Sequence, residues 1–69
     1  MQFYLNGEKR KIEAVTNIQQ LIETLRLNPK TVVVEHNHRV VKRDGFVETI
    51  LSENDEIEIV QFVGGGSVG

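Results

Sequence analysis

The apolar period of this chain changes twice, and that change restricts its fold more than any other feature. Ile18, Leu21, Ile22 and Leu25 fall at i, i+3, i+4 and i+7, one helical stripe. Before the stripe, Gln2 to Asn6 alternates, with Phe3 and Leu5 inward and Gln2 and Tyr4 outward. After it, Glu56 to Phe62 alternates again, with Ile57 and Ile59 on one face and Val60 and Phe62 on the other. With 69 residues there is room for one domain, so the pattern predicts an α+β architecture in which one helix covers one face of a small mixed sheet of four to five strands.

Local signals set the boundaries. Asn6-Gly7 is a two-residue hairpin turn, because both residues tolerate positive φ. It predicts a return strand from Glu8 to Val15 with Ile12 and Ala14 inward. Thr16 followed by Gln19 reads as a capping box, and Asn28-Pro29 as a stop, giving a helix over about 17–27. Thr31 to Glu35 is a β-branched run without alternation, as in a strand buried on both faces. His36-Asn37-His38-Arg39 reads as a turn, Val40-Val41 as a short strand, and Asp44-Gly45 and Glu53-Asn54-Asp55 as further turns. Phe46 to Leu51 is irregular. The order β-β-α-β-(short β)-β lets the first and last strands lie side by side at the sheet centre.

Composition removes several function classes. There is no cysteine, hence no disulfide, thiolate nucleophile or thiolate metal ligand. Net charge is −2 with the signs interspersed, which argues against nucleic acid and anionic membranes as partners. No apolar run approaches the ~20 residues of a membrane span, and the amino terminus lacks the pattern of a signal peptide, so the expected compartment is the cytoplasm. His36 and His38 sit two apart in a turn with Glu35 nearby, but no further Cys or His exists to complete a site, so no metal site is expected. Glu53, Asp55, Glu56 and Glu58 read as solvated surface carboxylates.

The last six residues, Gly64-Gly65-Gly66-Ser67-Val68-Gly69, offer nothing to a core. Residues 1–63 are therefore expected to form the domain and residues 64–69 a flexible tail. Such ends also occur as plain linkers. Following directly on a last strand, however, a side-chain-free backbone fits a narrow channel in another protein. A terminal glycine carboxylate is sterically open to activation as an acyl-adenylate and to displacement by sulfur, with the acid, base and metal supplied by the partner.

The element order resembles the ubiquitin-like β-grasp fold. Leu5-Asn6-Gly7, Val32-Val33-Val34-Glu35 with Asn37, and the stretch from Asp55 to Gly66 are similar to the ThiS sulfur carriers of thiamin biosynthesis. The resemblance covers residues 1–66. It implies a non-enzymatic carrier with no intrinsic cofactor. A ThiF-like adenylyltransferase would use ATP to adenylate Gly66, and a cysteine desulfurase would supply the sulfur. The resulting thiocarboxylate would serve thiazole synthase. Gly64 and Gly65 would thread into each partner. The family ends at its glycines, whereas Ser67-Val68-Gly69 follow here and hold the Gly66 carboxyl in a peptide bond. Removal of residues 67–69 by a protease, activation of Gly69 itself, and loss of the carrier role are the three ways to reconcile this. The same fold also accommodates a molybdopterin synthase small subunit, a ubiquitin-like protein modifier or a plain interaction module.

The outward residues Tyr4, Val60 and Phe62 are expected to form one exposed apolar patch beside the tail, a candidate partner-binding surface.

Overall fold

A computed structural model of the chain describes residues 1–62. The elements are β1 (Gln2–Leu5), β2 (Glu8–Lys11), α1 (Ile18–Thr24), β3 (Val32–His36), β4 (Arg39–Val41), a single 3-10 turn (Arg43–Gly45) and β5 (Glu56–Gln61). The sheet order is β2-β1-β5-β3-β4. β1 and β5 are parallel neighbours at the centre, and the other pairs are antiparallel. This is the mixed five-stranded sheet with one helix that the element order predicts for a β-grasp domain.

The core follows from the two periods. Phe3 and Leu5 of β1 and Ile57 and Ile59 of β5 point to the helix side, as does Val34 of β3. They meet Ile18, Leu21 and Ile22 of α1, with Val15, Phe46 and Leu51 closing the edges. Each such side chain contributes about 1.5–3 kcal/mol when fully buried. Among the described residues nothing covers the opposite face of the sheet, where Val33, Val40 and Val60 stand exposed.

The helix boundaries differ from the sequence reading at both ends. The N-cap is Asn17, one residue later than Thr16; its side chain accepts the Gln20 N–H at 2.8 Å. Gln20 returns a bond by accepting the Thr16 N–H at 2.7 Å, while Gln19 donates to Glu23 instead. At the other end the helix stops before Asn28-Pro29. Arg26 adopts left-handed φ 61°, the Leu27 N–H bonds the Ile22 carbonyl and the Arg26 N–H bonds the Glu23 carbonyl. Those two bonds are a Schellman motif, formed here with arginine where glycine is the easier residue.

Three strand expectations also change. β2 ends at Lys11, because Ala14 is exposed with φ 63° and turns the chain towards the helix; Ile12 is only half-buried. β3 is not buried on both faces, since Val33 looks out from the uncovered side and Val34 alone is fully buried. The turn between β3 and β4 is narrower than expected. Asn37 and His38 supply its two positive φ angles, and His36 already pairs with Arg39.

Both sheet edges are basic. Lys9, Arg10 and Lys11 lie on β2, and Arg39, Lys42 and Arg43 lie on or just after β4. These six of the chain's eight Lys and Arg residues oppose edge-to-edge pairing of copies. Among the described residues no helix is long and apolar enough to cross a membrane.

Candidate functional site

The expected tail residues Gly64, Gly65 and Gly66 lie outside the described residues. Two turn asparagines hold β5, the strand that precedes them in sequence. Asn6 is held at φ 52° in the β1–β2 turn, which leaves its side chain free to lie along β5. Its Oδ1 accepts the Ile59 N–H at 2.9 Å and its Nδ2 donates to the Ile59 carbonyl at 3.3 Å. The backbone N–H of Asn6 also bonds the Ile57 carbonyl. The side chain thus extends the β1 ladder by one pairing after the β1 backbone has turned away.

Asn37 works from the other side. Its backbone N–H donates to the Glu56 carbonyl at 2.7 Å, and its Oδ1 accepts the Glu56 N–H at 2.9 Å. Its Nδ2 reaches Asp55 Oδ1 at 3.1 Å. Asp55 is 8% exposed, which corrects its reading as a solvated surface carboxylate. The same carboxylate meets His36 Nε2 at 2.6 Å and accepts the Ser52 N–H at 2.8 Å. Burial disfavours the charged form, but the bonds from His36, Asn37 and the Ser52 N–H outweigh it and hold the Asp55 carboxyl below its ordinary value. His36 is therefore a structural partner of Asp55, and the exposed His38 Nε2 lies 3.0 Å from Glu56 Oε1. Among the described residues no group of three or more His, Cys, Asp or Glu is placed to hold a metal.

The three expected surface residues do not form one patch. Tyr4 pairs in register with Glu56, four residues along β5 from Val60. That spacing is roughly 13 Å. Tyr4 is half-buried beside a shallow groove that Gly7, Glu56, Ile57 and Glu58 also line. Val60 instead lies opposite Val33, a central cross-strand apolar pair. Val40 of β4 stands in the next row, opposite Glu35. Val60 and Phe62 are each 57% exposed and Val40 64%. The exposed apolar residues of the uncovered sheet face are thus Val33, Val40, Val60 and Phe62, while Val47 and Ile50 are exposed elsewhere. Val33 was missed because the run from Thr31 to Glu35 reads as a strand buried on both faces, and Val40 because a short strand by itself shows no covered face.

Comparison with known proteins places this geometry in a family. The ThiS family model matches residues 3–66. This chain belongs to the ThiS family. The sulfur carrier protein ThiS of Bacillus subtilis is 41% identical over 63 residues, covering 90% of this chain and 96% of that protein. The crystal structure of a ThiS thiamine biosynthesis protein from Geobacter metallireducens superposes with a TM-score of 0.81 at 29% identity, covering 96% of this chain and all of that one. A thiazole synthase of Magnetococcus marinus is 42% identical over 66 residues, which cover 96% of this ThiS-family chain. The chain spans about a fifth of the length of the thiazole synthases it matches.

Proposed function

We propose that this ThiS-family chain is a sulfur carrier of thiamin biosynthesis, loaded and unloaded by other enzymes at the carboxyl of Gly66. The observation that carries the reading is the family match, which runs through the whole domain and on to Gly66. Hydrolysis after Gly66 adds water across the Gly66–Ser67 bond and frees the carboxylate, with residues 67–69 as the leaving peptide. That carboxylate attacks the α-phosphate of ATP in a ThiF-like adenylyltransferase, and pyrophosphate leaves. The terminal sulfur of a persulfide, formed by a cysteine desulfurase, then displaces AMP. A thiol reduces the acyl disulfide to the thiocarboxylate. The end of the family match at residue 66 supports processing over activation of Gly69, as does the bulk of Val68 in a channel suited to glycine.

Thiazole synthase is the acceptor in this reading. The Magnetococcus marinus relative carries the name thiazole synthase and matches almost the whole of this chain within one polypeptide, which supports physical association of the two activities. Val33, Val60 and Phe62 form the docking surface beside the tail, with Gly64 and Gly65 entering the partner's channel.

Intact mass of the protein from its own cells tests the reading. A species ending at Gly66, with a second one about 16 Da heavier where sulfur replaces oxygen, is expected. Only the full-length mass, unchanged by an adenylyltransferase, ATP and a sulfur donor, would overturn it.

A further inference from the structure

Backbone groups along β5 alternate between its two neighbours. Phe62 N–H bonds the Thr31 carbonyl and the Glu56 carbonyl accepts from Asn37, so even-numbered residues face β3. Tyr4 N–H bonds the Asp55 carbonyl and Asn6 N–H bonds the Ile57 carbonyl, so odd-numbered residues face β1. The β1 backbone pairs only as far as Ile57, and the Asn6 side chain supplies both bonds at Ile59. The next odd residue is Gln61. Its N–H and carbonyl point into the lane that β1 has left, and among the described residues no strand lies there. A Cβ added at Gly7, on the turn bounding this lane, would meet nothing within 4 Å. The lane is flanked on the uncovered face by the exposed Val60 and Phe62, and the chain runs from it directly into Gly64-Gly65-Gly66.

From this geometry we infer that the enzyme receiving the tail adds an extended segment of its own to the sheet in the lane beside Gln61. This inference rests on the carrier reading and deepens it. The segment donates one N–H and accepts one N–H at Gln61, where the sheet leaves two strong backbone groups without a strand partner. It presents an apolar residue to Val60 and Phe62. Asn6 ends the intrinsic ladder one pairing earlier, so the added strand begins at a fixed register and runs along the root of the tail. A register fixed there delivers the glycines to a fixed depth in the channel, since each residue of slip would displace the reacting carboxyl by about 3.3 Å.

The test is amide hydrogen exchange at Gln61 in the full-length 15N-labelled chain, alone and with excess thiazole synthase. Gln61 is expected to exchange fast in the free chain and at least about tenfold slower in the complex. Gln61→Pro removes the N–H without touching the β3 ladder and should weaken binding by about three- to tenfold. The exchange result stands on the unsubstituted chain even if the proline variant fails to fold. A complex in which Gln61 still exchanges fast overturns this inference and leaves the carrier reading standing. Protection in the free chain also overturns it: if concentration-dependent, the occupant is a second copy, and if not, the chain's own tail. No complex with thiazole synthase at all overturns the inference together with the assignment of that enzyme as acceptor, while the mass test above still decides sulfur carriage.

Discussion

Asn6 and Ile59 are joined by two hydrogen bonds, a side-chain amide taking the place of a strand backbone across the centre of the sheet. The relationship ties the last stretch of β5 to the β1–β2 turn through one residue far away in sequence. Asn6→Gly retains the positive φ and loses both side-chain bonds. It is expected to destabilise the domain by about 1–3 kcal/mol in urea unfolding and to speed exchange of the Ile59 amide. An unchanged midpoint would show that water replaces the clamp at no cost.

Asp55 makes stability depend on acid. Its native carboxyl titrates below the ordinary value, so the stability it contributes is complete above the unfolded value of roughly 3.9 and is lost as pH falls through the lower native one. Thermal unfolding followed from pH 6 to pH 2 should show a loss in the parent that is reduced in Asp55→Asn. Asp55→Ala, which strands His36, Asn37 and the Ser52 N–H, should cost about 2–4 kcal/mol at neutral pH.

Arg26 carries a left-handed backbone in a Schellman motif. Arg26→Gly removes the Cβ clash there at the cost of a more flexible unfolded chain. A net gain of about 0.5–1 kcal/mol is expected, read as a higher urea midpoint with unchanged slope. A loss of stability would mean that the arginine stem packs on the core more than its exposure suggests.

Phe62 lies on the uncovered face with its ring largely in water, and only its backbone enters the ladder to Thr31. Phe62→Asp should leave unfolding within about 0.5 kcal/mol of the parent. Its affinity for the adenylyltransferase should drop by about tenfold or more, as for an interface aromatic. Undiminished capture by a folded variant would remove Phe62 from the docking surface.

Much of this was legible in the sequence because it depends on local period and turn chemistry. The stripe from Ile18 to Leu25 and the Asn6-Gly7 turn specify a helix and a hairpin through interactions spanning a few residues. The alternation around Ile57 and Ile59 likewise specifies a half-buried strand. The resemblance of residues 1–66 to ThiS carriers likewise rests on sequence alone. Boundaries were harder to read: Thr16 and Asn17 are both good caps, and nothing local tells which one the chain enters the helix through.

The tertiary structure decided what depends on residues distant in sequence. Asp55 reads as one more carboxylate in an acidic turn until the β3–β4 hairpin brings His36 and Asn37 against it. Val33 reads as core until the helix is seen to cover only one face. Tyr4 and Val60 read as neighbours until the parallel register sets Tyr4 beside Glu56. The sequence by itself determined which segments are helix and strand and which family they compose, because those follow from period and motif. Only the fold decided which polar groups are buried together and where β5 lacks a neighbour, because burial and pairing are properties of segments that meet across 18 to 53 residues of chain.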